Sequence, residues 1–169
     1  EAVDEFIADK RRIGLRATSI NGYNYTLGRF KDHFGPKQIS SITLKQINQW
    51  LDQMRLTFQW SATSQICAIT RVRVLFSWCV NNGYCRENPA TRIEKPKLEY
   101  RPPAILTVDQ TRELLATTQE IDSGMLTYVA LAVFAGVRPQ EILRLEPSNL
   151  KLDRKILEIT KAKTRRRRI

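Results

Sequence analysis

Apolar residues in the first half of the chain recur three and four positions apart, a spacing that puts them on one face of an α-helix. About four such stretches occur before residue 93, and the longest runs from about Ser61 to Asn82, with Gly83 placed to end it. Short amphipathic helices bury their apolar faces by packing against one another. The sequence therefore predicts a mainly α fold, with residues 1–93 forming a compact helical bundle.

The apolar faces of these helices define a candidate core. It comprises Val3, Phe6, Ile7, Ile20, Tyr23, Leu27, Phe30, Phe34, Ile47, Trp50, Leu51, Met54, Ile66, Ile69, Val72, Phe76 and Val80. Cap signals precede two of the helices. Thr18 or Ser19 is expected to cap the second helix, and the capping-box sequence "TLKQ" opens the third helix at Thr43.

A proline-rich segment separates this helical part from the rest of the chain. Residues 94–104, "EKPKLEYRPPA", contain three prolines and alternating charges, which is typical of an extended linker at a domain boundary. Beyond it, "TVDQ" predicts a capped helix, the apolar "MLTYVALAVFAG" a buried helix, and "PQEILRL" a short one. The period then changes, and "LKL" followed by "ILEIT" predicts a β-hairpin. Residues 105–169 are therefore predicted to form an α+β domain.

The net charge of the chain is +11. An excess of this size predicts a polyanionic partner, with nucleic acid first and an anionic membrane second. No stretch approaches the roughly 18 consecutive apolar residues of a membrane span. The apolar residues are also spread over several helices instead of being concentrated on one basic helix. Nucleic acid is therefore the expected partner, and no membrane association is expected.

Cysteine and histidine usage gives no sign of a metal or a cofactor. The chain has three cysteines and one histidine, and no C-x-x-C pattern occurs. Cys67 and Cys79 lie in the apolar pattern of the fourth helix and are predicted to be buried thiols. His33 has no partner motif, so a structural or solvent-exposed role is expected. No cofactor, metal site or disulfide framework is predicted.

Arg138 stands where a helix ordinarily begins with a hydrogen-bond acceptor. If Pro139 is the first helical residue, Arg138 is the N-cap and Glu141 is the third residue of the helix. Arginine cannot accept a hydrogen bond, and it puts positive charge at the positive end of the helix dipole. The arrangement suits a phosphate, which arginine binds with two parallel hydrogen bonds. An Arg138–Glu141 ion pair or a solvated arginine would explain the same residues, and the sequence leaves these alternatives open.

The residues around Arg138 resemble a motif of the tyrosine recombinases, the phage-integrase family. "LAVFAGVRPQEILRLEPSNL" is similar to the family's first arginine motif, in which "TGLRxxE" precedes "LxWxDI", although Glu146, Pro147 and Asn149 depart from it. "VRVLFSWCVNNGYCRENPATRIEKPK" is similar to the last core-binding helix and the "NP" exit into the linker. "ILTVDQTRELL" is similar to the opening helix of the catalytic domain, and "ILEITKAKTRRRRI" to its β-hairpin. The resemblance implies a SAM-like helical core-binding domain over residues 1–93, the linker 94–104, and the truncated first part of an α+β catalytic domain over residues 105–169.

The resemblance implies catalytic roles for Arg138 and for one lysine. Arg138 matches the first catalytic arginine, which would bind the scissile phosphate and stabilise charge on its non-bridging oxygens in the transition state. Lys163 matches the hairpin lysine, which would protonate the leaving 5′ oxygen as general acid, and Lys161 is the alternative. The family's His-x-x-Arg motif and its tyrosine nucleophile, which forms a 3′-phosphotyrosine, have no counterpart after the hairpin. We therefore expect this chain to be inactive alone and to be a fragment of a longer gene product, which the lack of an initiator methionine also indicates.

Double-stranded DNA is the partner that the resemblance implies, with a tetramer on DNA for the full-length protein and a cytoplasmic location in a bacterial or phage context. On the fourth helix, Ser64, Arg71 and Trp78 are expected to project away from the core, with Arg71 meeting DNA. Arg73 is expected to be partly structural and partly DNA-facing. The predicted DNA-binding residues are Arg16, Thr18, Lys45, Arg71, Arg73, Arg101, Lys161 and Arg165. A stand-alone, non-catalytic helical DNA-binding module is the alternative, although it does not explain an arginine beside Pro139.

Overall fold

The computed structural model describes residues 1–100, 102–159 and 167–168. The chain divides into two compact units, Glu1–Arg101 and Pro102–Ile169, and the division falls inside the predicted linker. Each unit has its own cluster of buried apolar residues. No helix in the described ranges is long and apolar enough to cross a membrane.

The first unit is a bundle of helices arranged around the last and longest of them. The helices are α1 (Ala2–Arg12), α2 (Ala17–Phe34), α3 (Leu44–Phe58) and α4 (Ala62–Asn81), with short 3-10 turns at Ile39–Ser41 and Pro89–Arg92. α4 is packed against each of the other three helices and against the turn at Pro89–Arg92. The predicted helical bundle is confirmed.

Two helix ends follow the predicted local chemistry. Thr43 caps α3 in a complete capping box, because its hydroxyl accepts a hydrogen bond from the Gln46 N–H and the Gln46 side chain accepts one from the Thr43 N–H. Just beyond α4, Gly83 has a φ of +79°, the left-handed conformation that glycine adopts without strain. Both signals are confirmed at the positions where the sequence predicts them.

The start of α2 differs from the prediction. The helix begins at Ala17, and Arg16 is the N-cap residue, with no capping bond from its side chain. Thr18 and Ser19 therefore lie inside the first turn, where they cannot cap, and their prediction as caps is wrong. The apolar stripe begins only at Ile20, so it carries no information about the helical residues before it.

A cluster of perpendicular aromatic rings lies at the centre of the first unit. The Phe30 ring lies 5.2 Å from the Trp50 ring and 6.0 Å from the Phe76 ring, in edge-to-face geometry. All three side chains are almost completely buried. The predicted core is confirmed in large part, since its members are buried except for a half-buried set: Tyr23, Phe34, Leu51, Ile66 and Val80.

The buried face of α4 is broader than the predicted stripe. Ala68 and Leu75 are buried in addition to the predicted residues, because neighbouring elements cover this helix from several sides. Cys79 is completely buried, which confirms its prediction as a buried thiol, and this burial raises the pKa of the thiol to about 12. Cys67 is exposed, and its prediction as a buried thiol is wrong, because the adjacent Ala68 occupies the buried position.

Trp78 connects the end of α4 to α1. Its indole N–H donates a hydrogen bond to the Asp9 carboxylate at 3.1 Å, and its ring stacks on Tyr84 with ring centroids 5.5 Å apart. The Tyr84 hydroxyl donates to the Glu5 carboxylate, and this interaction raises the pKa of Tyr84 to about 12. The expectation that Trp78 projects away from the core is therefore wrong.

In the described part of the second unit, helices precede a small antiparallel sheet. The helices are α5 (Val108–Ile121), α6 (Leu126–Ala135) and α7 (Pro139–Ile142), with 3-10 turns at Ser123–Met125, Pro147–Asn149 and Leu152–Arg154, and the strands are β1 (Leu150–Lys151), β2 (Ile156–Ile159) and β3 (Arg167–Arg168). β2 is the central strand and pairs with β1 and β3. The predicted order of helices followed by a hairpin is confirmed.

α6 is less buried than its apolar composition predicts. None of its residues is fully buried, and Phe134 is 70% exposed. Among the described residues, the elements packed against α6 are chiefly α5, α7 and the turn at Ser123–Met125, which cover only part of its surface. The prediction of a buried helix is wrong for the described part of this unit, because α5, α7 and this turn leave part of the apolar surface of α6 exposed.

Candidate nucleic-acid interface

Arg138 is placed by the turn that joins α6 to α7. Gly136 ends α6 with a φ of +58°, and Val137 is buried in the apolar cluster of the second unit. Arg138 itself has an extended backbone, as expected for a residue before proline, and Pro139 is the first residue of α7. The predicted N-cap position of Arg138 is therefore what the structure has.

Glu141 supplies the acceptor that an arginine cap lacks. One oxygen of its carboxylate accepts a hydrogen bond from the Arg138 backbone N–H at 3.2 Å, and the other accepts one from the Arg138 guanidinium at 3.1 Å. The Glu141 side chain is 4% exposed, whereas the Arg138 side chain is 62% exposed. Of the explanations that the sequence leaves open, the Arg138–Glu141 ion pair is present, and it leaves most of the Arg138 side chain exposed.

The other predicted members of the catalytic site lie outside the described residues. This applies to Lys163, to the alternative lysine Lys161, and to Arg165 and Arg101 among the predicted DNA-binding residues. Their roles remain predictions from the family resemblance.

Arg71 lies across the surface of α2. Its guanidinium donates a hydrogen bond to the hydroxyl of the buried Thr26 at 2.7 Å. A methyl group added at Gly22 would lie 2.6 Å from the Arg71 Nη2 atom, so the absence of a side chain at Gly22 gives the guanidinium its space. Arg71 is thereby held in one place beside a small groove. The groove is lined by Tyr25, Thr26, Trp60, Thr63, Ser64, Cys67 and Arg71.

Arg73 makes different contacts, with the chain that comes after α4. Its Nε donates to the Ala90 carbonyl at 2.9 Å, and its Nη2 donates to the Ile93 carbonyl. At about 100° of rotation per residue, positions 71 and 73 lie on opposite edges of the face centred on Val72. The expectation that Arg71 projects away from the core is therefore wrong, because both arginines flank the buried face.

The remaining predicted DNA-binding residues are exposed at helix starts. Arg16 and Thr18 lie at the beginning of α2, and Lys45 lies in the first turn of α3. His33 is exposed in the last turn of α2 and lies edge-on to Phe34, which agrees with the structural or solvent-exposed role predicted for it.

Arg29 is a basic surface residue that the sequence pattern does not single out. Its guanidinium lies 3.8 Å from the centre of the Tyr25 ring and 4.6 Å from the centre of the Phe58 ring. It also donates to the Tyr25 carbonyl at 2.9 Å. The four-residue spacing of Tyr25 and Arg29 on one helix was the available signal, because such residues are neighbours on a helix surface.

The chain has curated relatives among the tyrosine recombinases. A tyrosine recombinase of Thermosipho africanus is 24% identical over 174 aligned positions, which cover 100% of this chain and 60% of that protein. The tyrosine recombinase XerD of Staphylococcus epidermidis is 27% identical over 144 positions, which cover 82% of this chain and 49% of that protein. The chain thus spans about half to three fifths of the length of these relatives. No family model matches it.

Solved integrases have the same fold. The lambda integrase dimer bound to a COC′ core site matches with a TM-score of 0.85 at 16% identity, covering 99% of this chain and 60% of that one. The lambda integrase tetramer bound to a Holliday junction matches with a TM-score of 0.84 at 17% identity, covering 99% of this chain and 49% of that one. The chain therefore has the fold of the corresponding part of a phage integrase. Relatives and fold together confirm the resemblance to the tyrosine recombinases predicted from the sequence.

The capping role of Glu141 can be tested by two substitutions. Glu141→Ala should destabilise α7 by about 1–3 kcal/mol, because the Arg138 N–H and guanidinium both lose their acceptor. Glu141→Gln keeps an acceptor oxygen and should cost less. Hydrogen exchange of a peptide covering residues 138–145 measures both effects, since the exchange rate reports local opening. Equal loss of protection in the two variants would contradict the capping role.

Proposed function

We propose that this chain is the DNA-binding core-binding domain (residues 1–93), the linker (94–104) and the first part of the catalytic domain (105–169) of a site-specific tyrosine recombinase. The observation that carries the proposal is the alignment of a tyrosine recombinase with 100% of the chain. The lambda integrase fold extends over 99% of it as well. A helical DNA-binding module alone would leave the similarity of the second unit without an explanation.

Double-stranded DNA is the proposed partner. The net charge of +11 favours a polyanion, and the matching lambda integrase structures are bound to a core site and to a Holliday junction. A full-length protein of this kind would assemble as a tetramer on DNA, and it would act in the cytoplasm, where bacterial and phage DNA is accessible. The chain itself would contribute DNA binding without turnover.

Arg138 is the proposed clamp for the scissile phosphate. Its side chain is 62% exposed, so its guanidinium can donate hydrogen bonds to phosphate oxygens as negative charge develops on them. Glu141 orients the guanidinium through the 3.1 Å bond without enclosing it. Lys163, or Lys161, would protonate the leaving 5′ oxygen. The single histidine is His33 and every tyrosine precedes Arg138, so the nucleophile and the His-x-x-Arg motif would have to come from outside this chain.

DNA binding by the chain should depend strongly on salt. Each phosphate contacted by a lysine or arginine releases counterions, which gives log affinity a slope of roughly −0.9 against log salt per contact. A fluorescence-anisotropy titration with a duplex, repeated from low to moderate salt, measures the slope. We expect several contacts, and a slope near zero would contradict the proposed function.

The placement of Arg71 can be tested separately from its charge. Arg71→Ala should make the salt slope less steep by about one unit, as expected for the loss of one phosphate contact. Gly22→Ala should also lower the affinity for DNA and make the salt slope less steep, because the new methyl group displaces the Arg71 guanidinium from its position. Alanine favours a helix more than glycine does, so this variant should remain folded.

Gly28→Ala is the matched control for Gly22→Ala. Gly28 lies on the same helix, and a methyl group added there would meet nothing within 4 Å. It should bind DNA as the unaltered chain does. If Gly22→Ala also binds like the unaltered chain, the position of Arg71 has no importance for DNA binding.

The clamp role of Arg138 requires the longer recombinase that the proposal implies. Arg138→Lys keeps the charge but loses the planar pair of donors, so covalent trapping on a nicked suicide substrate should fall several tens-fold, on the order of 2 kcal/mol. Trapping equal to that of the unaltered enzyme would show that Arg138 is not the clamp.

A further inference from the structure

The chain leaves the first unit along the side of α4. After the turn at Gly83 it runs back, and Asn88 anchors it to the middle of the helix. The Asn88 side-chain amide donates to the Arg73 carbonyl at 3.0 Å and to the Ser77 hydroxyl at 2.9 Å. Its oxygen accepts from the Ala90 N–H at 2.9 Å and so caps the turn at Pro89–Arg92. The backbone and side chain of α4 therefore both take part in holding this segment.

Arg73 holds the same segment further on. Its Nε and Nη2 donate to the carbonyls of Ala90 and Ile93, which are three residues apart. Ala90 is fully buried and Ile93 is 4% exposed, so their side chains also fix the segment against the bundle. A planar guanidinium can bond two carbonyls at fixed separation, whereas an ammonium group cannot reproduce that geometry. The linker, residues 94–104, begins directly after the second of these carbonyls.

We infer that Arg73 and Asn88 form a latch that fixes where the linker leaves the first unit, and that Arg73 is a positioning residue for the linker instead of a DNA contact. The guanidinium is half-buried, and two of its nitrogens donate to backbone carbonyls. An extended linker that starts from a fixed point can reach fewer places than one whose first residues are free. The latch thus limits the positions that the next residues of the chain can occupy.

The rates at which trypsin cleaves two peptide bonds measure whether the latch holds this segment. Arg92–Ile93 lies inside the latch, and Lys97–Leu98 lies in the exposed linker just beyond it. Lys95 and Arg101 are each followed by proline and resist the enzyme. In the unaltered chain, cleavage at Lys97–Leu98 should precede cleavage at Arg92–Ile93, because a protease needs several residues of open backbone. Equal initial rates at the two bonds would overturn the proposal without any substitution.

Substitutions then distinguish the latch from a DNA contact. Arg73→Lys keeps the charge and Arg73→Met removes it, and both should raise the rate at Arg92–Ile93 relative to Lys97–Leu98 by about tenfold or more, since both lose the pair of carbonyl bonds. Tryptophan fluorescence checks that each variant is folded. Arg71→Lys is the matched control on the opposite edge of α4, and it should leave the ratio of rates unchanged.

A role of Arg73 as a phosphate contact predicts different outcomes for the same two measurements. If Arg73 is a phosphate contact, Arg73→Met leaves the cleavage ratio unchanged and makes the salt slope of DNA binding less steep by about one unit. If it is a latch, the ratio changes in both variants and the slope for Arg73→Met is that of the unaltered chain. Should Arg73→Met fail to fold, Arg73→Lys and the order of cleavage in the unaltered chain still decide the question.

Discussion

Burial of one broad face of α4 is the interaction on which the first unit depends. α1, α2, α3 and the turn at Pro89–Arg92 all pack against this helix, and the aromatic cluster of Phe30, Trp50 and Phe76 lies in the same core. Burying apolar surface is the dominant favourable term in folding. Side chains at the edges of such a face cannot move independently of the core. Arg71 and Arg73 occupy those two edges, and each is fixed by a different neighbour.

The existence of the helices could be predicted from the sequence, but the rotation of α4 could not. A repeating apolar spacing and a capping box at Thr43 are local properties, and they persist in the folded chain. The exact buried face depends on which neighbours cover the helix. Ala68 and Leu75 lie outside the predicted apolar stripe, and they are buried because α4 is covered from several sides. Because the predicted stripe leaves these residues out, the predicted buried face is rotated about the helix axis relative to the observed one. This rotation explains the wrong orientations expected for Arg71, Trp78 and Cys67.

In the second unit, the sequence predicted the N-cap position of Arg138 correctly but not the exposure of α6. An arginine in an N-cap position breaks a local rule, and the structure shows how Glu141 compensates by bonding both the backbone and the side chain of Arg138. Composition also predicted that α6 is apolar on all sides, yet composition does not specify what covers a helix. Which hairpin lysine matches the catalytic one depends on the strand register, and apolar periodicity does not determine that register. Lys161 and Lys163 therefore remain alternatives.

The placement of the aromatic residues has an optical consequence. All three tryptophans, Trp50, Trp60 and Trp78, belong to the first unit, and the Trp50 and Trp60 rings lie 6.3 Å apart. The second unit contains no indole, and Tyr128 is its single phenol. Emission excited beyond the absorption of tyrosine therefore comes from the bundle alone. Unfolding of the bundle can therefore be followed by its intrinsic tryptophan emission without a label, and the second unit contributes no emission at the same excitation wavelength.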